Sequence, residues 1–594
     1  MKKKAAVLGA ALLMLLLLAS CGIRFVRVPA EAEGGSTEPN VTNATNATDA
    51  ATDAPDAPSS ELVIVRPAEG GEAVTAVATE VYRYLRAQTD RVSLTTDATD
   101  YAPTAGRTYL LIGSTRYPLS VSLAESVGNG AQIGFAAQAD CAALCAGSNQ
   151  LLYIGAEAFL ARYAPMGVFT LPDLPKARIM NAEMCVRESW VLPFPAYAGG
   201  ETDSQLYACG YGIVQSGDTA KMQVVNDTDA EEFENYLETL ETWGYRKTFE
   251  NTIDENRFAE FRTYFGNTIW TYRIATENKV RVIYDPISLS LEEFSSAGDA
   301  EGAEFWMFRR NTESEDTFLI RNADNSWIFI DGGVATESDT FADDLYVFMR
   351  TQSGLRDGEK LVISCWYLSH PHRDHFQAFR YLIERHWRDI DLQRVLLNTP
   401  DTAAVSNSNN ADYQQCAALI CRAYPNVKVL KAHSGARVTL SGTELEILFT
   451  QEDNLENWYN PDRNDESKRT LYDFNNASLI SRITVDGISI LELADGFRSD
   501  WQLRHYQPAT LACDILKIAH HAYNSNCDAW YLSLLETGKV RYALVPHASN
   551  GAEKAWATVL GERCIWASDR YDVVFRKRNG GLVSEIIPVK EKVQ

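Results

Sequence analysis

Three histidines and one aspartate lie within six residues, in the segment His370-Pro371-His372-Arg373-Asp374-His375. Imidazole and carboxylate groups are ligands that suit zinc, manganese or iron. A turn that leaves a strand can aim His370 and His372 at one ion. Asp374 and His375, at the start of a following helix, can then face a second ion about 4 Å away. The spacing therefore predicts a two-metal site, and the alternative is a solvated loop that happens to be polar.

Apolar segments before this cluster predict the elements that hold it. Three strand-like runs follow one another as in a meander, at 305–308, 317–320 and 327–330. The third run leads directly into Asp331. A helix over 341–349 and a buried strand over 361–368 come next. We therefore expect the cluster to leave the tip of a buried strand and to enter a helix.

The segment HPHRDH resembles the HxHxDH signature of the metallo-β-lactamase superfamily, and further features follow in that family's order across residues 303 to 580. The resemblance implies an α/β fold whose C-terminal domain, residues 303–594, is an αββα sandwich. Asp331 matches a residue that lies behind the metal ligands or has a structural role. Asp495, after the strand-like run 488–494, matches the carboxylate that bridges the two ions.

The next matching strand closes on the pair His520-His521. With the earlier segment Asn475-Asn476-Ala477-Ser478-Leu479, this pair is most similar to the extracytoplasmic domain of DNA-uptake competence proteins and to phosphorylcholine esterases. The resemblance implies six metal ligands, namely His370, His372, Asp374, His375, Asp495 and His520. Asp374, His521 and His547 are the predicted catalytic residues, with His521 placed to contact substrate or to give a proton to the leaving group. Which of the two neighbouring histidines ligates a metal stays open.

The pattern departs from the family at the first ion. No histidine stands in an obvious third-ligand position between His375 and Asp495. Either His433 completes the shell of that ion, or the ion has fewer protein ligands, and the second interpretation is favoured. Lys517 and Arg373 either supply local positive charge or are ordinary solvated residues.

The first residues predict export and a membrane anchor. Three lysines, Lys2 to Lys4, precede an apolar run from Ala5 to Ala19 that is too short to span a bilayer comfortably. The run ends Leu18-Ala19-Ser20-Cys21, which resembles the lipobox of bacterial lipoproteins and implies a lipidated Cys21 held at the cell membrane. An ordinary cleaved signal or an anchor helix is the alternative. Residues 22–60 lack an apolar period, so we expect a disordered tether.

Length and composition predict several domains. At 594 residues the chain is too long for one core. Residues 61–195 predict an α/β accessory domain, and residues 200–295 predict an α+β accessory domain whose helix has an aromatic face and ends at Gly244. The ten cysteines besides Cys21 are scattered and typical of buried thiols, although a disulfide stays open. A formal charge of −24 disfavours a general nucleic-acid binder.

These features together predict an extracytoplasmic, lipid-anchored, metal-dependent hydrolase with two divalent ions, zinc in preference to manganese. The ions would lower the pKa of a shared water and hold it as hydroxide for attack on phosphorus or a carbonyl carbon. The favoured reaction is phosphodiester hydrolysis on an envelope polymer or a nucleic acid. The alternative is a catalytically weak or inactive surface lipoprotein that binds envelope glycan. No protein partner is inferred.

Overall fold

The protein is described from a computed structural model, in which the described residues belong to one compact unit. The structure describes residues 61–98, 102–168, 170–210, 220–286, 289–308, 316–338, 340–400, 410–458, 474–496, 499–522, 529–546, 552–566 and 571–588. The predicted signal segment, Cys21, the predicted tether and His547 lie outside the described residues. None of the helices in the described ranges combines the length and the apolarity needed to cross a membrane.

The first part of the described chain is a six-stranded sheet with flanking helices. Its elements are β1 Glu61–Arg66, α1 Gly71–Gln88, β2 Val92–Thr96, β3 Arg107–Ile112, α2 Pro118–Val127, β4 Gln132–Gln138, β5 Cys141–Ala146, α3 Asn149–Tyr163 and β6 Arg178–Asn181. The strand order is β2-β1-β3-β5-β4-β6. Helix α1 buries Val77, Val81 and Leu85, which recur every four residues and therefore share the face that packs on the sheet.

The second part is a seven-stranded sheet with one long helix. Its elements are β7 Glu201–Thr202, β8 Tyr207–Ala208, β9 Lys221–Asn226, α4 Ala230–Thr242, β10 Arg246–Ile253, β11 Asn256–Arg262, β12 Thr268–Ile274, β13 Lys279–Asp285 and α5 Leu291–Phe294. The strand order is β10-β11-β12-β13-β9-β7, and β8 pairs with β9. A reciprocal cap between Asp229 and Glu232 starts α4. The helix buries Phe233, Tyr236, Leu237 and Leu240, which confirms the predicted aromatic face.

The C-terminal part contains two large sheets. Its elements are β14 Glu304–Met307, β15 Thr317–Arg321, β16 Trp327–Asp331, α6 Phe341–Gln352, β17 Leu361–Leu368, α7 Arg373–His386, β18 Ile390–Leu392, β19 Arg394–Leu397, α8 Asn410–Ala423, β20 Lys428–Lys431, β21 Arg437–Leu440, β22 Thr443–Phe449, α9 Leu455–Trp458, β23 Ile480–Val485, β24 Ile488–Glu492, α10 Ser499–Gln502, β25 Ile515–Lys517, α11 Ala529–Glu536, β26 Tyr542–Val545, α12 Ala552–Leu560, β27 Cys564–Trp566, β28 Tyr571–Arg578 and β29 Gly581–Pro588. One sheet has the order β20-β19-β17-β16-β15-β14-β28-β29, with β18 beside β17. The other has the order β21-β22-β23-β24-β25-β26-β27. The described chain is therefore a mixed α/β protein.

Strand β16 shows why the runs around the histidine cluster are continuously apolar. Trp327 and Phe329 pack with residues of α6 and α7, whereas Ile328 and Ile330 pack in the cluster that contains residues of the second sheet. Successive side chains of a strand point to opposite faces of its sheet. Because both faces of this sheet are covered, no alternation of polar and apolar residues remains.

The second accessory sheet shares a core with the C-terminal part. Trp270 and Tyr272, on β12, belong to the same buried cluster as Phe449 on β22. The Trp270 indole donates to the Ser434 carbonyl at 3.0 Å, and the Tyr272 hydroxyl donates to Asp453 at 2.9 Å. Apolar packing therefore crosses the predicted boundary between residues 295 and 303.

The cysteines of the described ranges are all free thiols. They are Cys141, Cys145, Cys185, Cys209, Cys365, Cys416, Cys421, Cys513 and Cys564, and all but Cys421 are buried. No disulfide therefore contributes to the stability of the described part of the chain.

Glu157, on α3, is a buried carboxyl that should make stability depend on pH. It accepts a hydrogen bond from the Tyr264 amide at 2.7 Å, and burial raises its pKa from 4.5 to about 8. Between those values the folded chain holds a proton that the unfolded chain releases, so stability falls as pH rises, by up to about 1.4 kcal/mol per pH unit.

We expect Glu157→Gln to flatten this dependence of the free energy of unfolding on pH, measured by urea titration between pH 5 and 8. Glu125→Gln, at an exposed position on α2, should keep the slope; equal slopes in the two variants would contradict the prediction.

Candidate metal centre

The 370–375 segment joins a buried strand to a helix. Strand β17 ends at Leu368 and helix α7 begins at Arg373, so the turn between them carries His370 and His372. Asp374 lies in the first turn of α7, where the helix dipole favours a carboxylate. The predicted strand, turn and helix around the cluster are confirmed.

Parallel strands bring distant parts of the chain to this turn. Strands β16 and β17 are parallel neighbours in one sheet, and β24 and β25 are parallel neighbours in the other. Asp331 ends β16, Asp495 follows β24, and His520 and His521 follow β25. Because the carboxyl ends of parallel strands meet at one edge of a sheet, residues far apart in the sequence converge here.

Asp495 lies at the centre of the cluster and is 2% exposed. Its Oδ2 is 3.1 Å from Nε2 of His375 and 3.4 Å from Nε2 of His521. Nε2 of His521 is also 3.2 Å from Oδ2 of Asp374. Ligands bound at about 2.1 Å in tetrahedral geometry are about 3.4 Å apart. These side chains are therefore spaced as neighbouring ligands of one small cation.

His370 and His372 form a second donor group with the same aspartate. Nε2 of His370 is 3.0 Å from Nδ1 of His372 and 3.8 Å from Oδ2 of Asp495. One donor atom of each of these three residues lies within 4.8 Å of the others. Asp495 thus belongs to both groups, which is the arrangement expected of a bridging carboxylate. Both groups could hold a metal ion, and the six ligands assigned from the sequence stay a prediction.

Asp331 lies behind the ligands and orients one of them. Its Oδ2 is 2.7 Å from Nδ1 of His375, and its Oδ1 accepts from the Ser369 amide at 2.7 Å. A carboxylate on one ring nitrogen of a histidine directs the other nitrogen toward a metal. In this structure the other nitrogen of His375 faces Asp495.

Asp316 is not among the site residues predicted from the sequence, and for Lys517 the sequence permits two interpretations. Both side chains are fully buried, and the Lys517 ammonium lies 2.5 Å from Oδ2 of Asp316. The interpretation of Lys517 as a solvated residue is therefore wrong. Asp316 follows Glu313-Ser314-Glu315, a polar pattern that is typical of a solvated loop. A usable signal was Lys517 itself, because a lysine inside an apolar strand requires a buried acidic partner.

Left-handed backbone is concentrated at the site. Asp331 has φ 58°, Ala494 has φ 47°, and the consecutive residues His520, His521 and Ala522 have φ of 51°, 49° and 64°. This conformation costs a residue other than glycine about 1 kcal/mol or more. The surrounding packing must hold it in place. The tight turn after β25 sends the two neighbouring imidazoles apart, with ring centres 6.2 Å from each other.

The pKa values of the buried histidines are shifted in different directions. Burial, together with the nearby histidines, holds the pKa of His370 well below its ordinary value. Burial acts in the same direction on His375 and His521, but the adjacent carboxylates, Asp495 foremost, outweigh it. The pKa of His375 is therefore raised well above its ordinary value, and that of His521 is raised to about 10. A metal must displace these protons, so metal affinity should rise with pH.

The structure brings His521, and not His520, into the donor groups of the described residues. His521 lies with Asp495 and His375 in a group of buried donors. His520 is half-buried, and its Nε2 is 3.2 Å from the Asn475 amide nitrogen. This geometry favours an exchange of the two predicted roles, because only His521 approaches the other donors closely enough to share a cation.

His433 lies in another buried network. Its Nδ1 is 2.9 Å from Glu452, its Nε2 is 3.8 Å from Asp285, and its ring stacks on Trp270. It belongs to neither donor group found among the described residues. Among the described residues, the geometry therefore favours the interpretation in which the first ion has fewer protein ligands, with His370, His372 and Asp495 as the close donors.

We expect His433→Ala to destabilise the protein without changing its metal content. Removing the imidazole leaves the fully buried Glu452 carboxylate without its closest partner, which should cost about 3 kcal/mol in the free energy of unfolding. Urea titration and metal analysis of the same sample measure the two effects. Loss of one metal equivalent from a folded variant would instead identify His433 as the third ligand.

Of the two remaining residues from the sequence predictions, one lies at the surface and the other lies outside the described residues. The Arg373 side chain is 47% exposed and lies 2.7 Å from Asp412, so it is an ordinary surface residue rather than a source of charge at the candidate metal centre. His547 lies outside the described residues. Its predicted role in substrate binding stays a prediction.

The donor set fits a divalent metal. Oδ1 of Asp495 is buried and forms no hydrogen bond with the part of the chain that is described. The Lys517 ammonium is 3.8 Å away, beyond hydrogen-bonding distance, and a buried oxygen without a hydrogen bond costs about 1–3 kcal/mol, which coordination to a cation would remove. Imidazole with carboxylate is the chemistry of zinc and manganese sites, and the buried carboxylates supply the charge that a divalent ion requires.

Comparisons with known proteins add little to this geometry. No protein-family model matches the chain, and no curated protein matches it. Human tRNase Z, short form, is among the solved structures that match, at 9% identity over 48% of this chain and 100% of that chain, with a TM-score of 0.23. A likeness at that score carries no argument. The candidate metal centre therefore rests on its own residues and distances.

Proposed function

We propose that this chain is a metal-dependent hydrolase of the metallo-β-lactamase type, with an αββα C-terminal domain, and that it cleaves phosphodiesters. The observation that carries the proposal is the position of Asp495, whose carboxylate belongs to two groups of metal-ligand side chains at once. A shared carboxylate is the natural bridge between two ions.

The chain's own residues have distinct tasks in this proposal. Asp374, His375, Asp495 and His521 would hold one ion, and His370, His372 and Asp495 would hold the other. When bound, two divalent ions lower the pKa of a shared water and stabilise the negative charge that develops on the substrate. Asp331 keeps the His375 ring in its binding orientation. His520 belongs to neither donor group among the described residues and is half-buried, so we assign it contact with substrate or protonation of the leaving group.

The protein is further proposed to act outside the cytoplasm, anchored through Cys21. The support is the short apolar run that ends at the lipobox-like segment. Metabolic labelling with a radioactive fatty acid tests it. Label should enter the native chain and be absent from Cys21→Ala, and label in both would reject this anchor.

A substrate screen tests the catalytic proposal. The protein is loaded with zinc or manganese and offered bis-p-nitrophenyl phosphate, p-nitrophenyl phosphorylcholine, single-stranded DNA and a chromogenic cephalosporin. We expect turnover of at least one phosphodiester and none of the cephalosporin. Full metal loading without turnover of any phosphodiester would reject the reaction class, and a folded protein that takes up no metal would favour the glycan-binding alternative.

A further inference from the structure

A buried ion pair lies against the candidate metal centre. Lys517, on β25, and Asp316, immediately before β15, are both 0% exposed and 2.5 Å apart. The ammonium also donates to the Ala494 carbonyl at 2.5 Å and lies 3.8 Å from Oδ1 of Asp495 and 3.8 Å from Glu492. Burial of a full charge is costly, so a lysine in this position requires the carboxylates around it.

Asp316 faces the two histidines from the side opposite to their metal-binding atoms. Its Oδ2 is 3.7 Å from Nδ1 of His375, and its Oδ1 is 3.6 Å from Nδ1 of His521. The Nε2 atoms of the same two rings converge on Oδ2 of Asp495. The two nitrogens of an imidazole point in different directions, so one ion cannot take Nε2 of both rings and also Asp316. Donor atoms of Asp316, His375, Asp495 and His521 all lie within 4.8 Å of one another, but Asp316 lies behind the two rings.

Lys517 lies beside the second oxygen of the Asp495 carboxylate. The metal-ligand nitrogens approach Oδ2 of Asp495, whereas the ammonium lies near Oδ1. The register of the parallel strands β24 and β25 accounts for this placement, because Lys517 pairs with Glu492, three residues before Asp495. The ammonium therefore provides a permanent positive charge among at least three buried carboxylates.

We propose that Asp316 and Lys517 are a positioning pair for the metal centre. Asp316 orients the ring of His521 so that its Nε2 faces the proposed metal position, and it supports His375 from behind, where Asp331 already holds Nδ1 of that ring. Lys517 holds Asp316 in place. Its ammonium also offsets part of the negative charge of Asp316, Glu492 and Asp495. The inference rests on the proposed function, because it assigns the pair a role toward the metal that this function requires.

The test compares Asp316→Asn, Lys517→Met and the double variant in the full chain, solubilised in detergent. Zinc affinity is measured by competition with a chromogenic chelator, and the geometry of the site is followed through the visible spectrum of bound cobalt. We expect Asp316→Asn to keep the number of bound ions, to weaken zinc binding by about 10- to 100-fold and to change the cobalt spectrum. Lys517→Met should lower the unfolding midpoint most, and the double variant should recover part of that loss.

Glu304→Gln is the matched control. Glu304 is also buried and pairs with Arg576 at 2.9 Å, but it lies outside both donor groups. It should lower stability and leave zinc affinity and the cobalt spectrum unchanged. If Asp316→Asn and Lys517→Met behave like this control, the pair is merely structural and the inference is overturned.

Two other outcomes are separable. Loss of a whole metal equivalent in Asp316→Asn would make Asp316 a direct ligand, which overturns the positioning role while the proposed function stands. Native protein that binds no metal overturns the proposed function and the inference together.

Discussion

Replacing Asp495 with alanine is expected to empty both metal positions and to abolish hydrolysis. The two donor groups share this carboxylate, so its removal takes a ligand and a negative charge from each of them. Loss of a residue that only supports a ligand costs 10- to 100-fold in metal affinity, and loss of a shared ligand should cost at least about 100-fold for each ion. Metal analysis after gel filtration and equilibrium competition with a chelator measure the effect.

Asp500→Ala is the control for this prediction. Asp500 is an exposed carboxylate five residues farther along the chain, on α10. It should retain the metal content and activity of the native protein. Circular dichroism must show that both variants are folded. If folded Asp495→Ala kept one ion at native affinity, the carboxylate would belong to a single position and the two-ion arrangement would be rejected.

Replacing His521 with alanine is expected to remove one ion, whereas replacing His520 should leave both ions in place. Nε2 of His521 approaches Asp374 and Asp495 within 3.2 Å and 3.4 Å. His520 is half-buried and belongs to neither donor group within the described ranges. We therefore expect His521→Ala to weaken binding of that ion by at least about 100-fold, and His520→Ala to change metal affinity only a few-fold.

The two variants are well matched, because the residues are adjacent and both have left-handed backbone. Each substitution removes an imidazole and leaves the strain of the turn unchanged. Activity separates the roles further: His520→Ala should reduce turnover of a substrate with a poor leaving group more than that of a nitrophenyl ester, because only a poor leaving group needs a proton. Metal loss in His520→Ala, with full loading of His521→Ala, would restore the assignment made from the sequence.

The two metal positions should also differ in strength. The position at His375 and His521 has two carboxylates among its donors, Asp374 and Asp495. The position at His370 and His372 has two imidazoles and the shared carboxylate. A divalent ion is bound less tightly where fewer of its ligands are charged. Stepwise zinc titration should therefore fill the position at His375 and His521 before the position at His370 and His372.

The spacing of residues 370–375 was sufficient to predict a strand, a turn and a helix that present three histidines and an aspartate together. Short-range patterns carry this information because an apolar run followed by polar ligands leaves few ways to bury the run. The aromatic face of α4 could be predicted for the same reason. Buried thiols were also the expected state of scattered cysteines, and the described cysteines are free.

Long-range pairing decided the rest. The parallel pairs β16–β17 and β24–β25 determine which residues meet, and nothing local to Asp316 distinguishes it from the acidic residues before it. The choice between His520 and His521 depends on three consecutive left-handed residues, which have no signature in residues 519–522. His433 could not be assigned either, because its partner Glu452 comes from another part of the chain. The sequence alone thus determined that residues able to bind a metal are present and which elements carry several of them. The tertiary structure decided which atoms face one another, because coordination depends on distances between strands that are far apart in the chain.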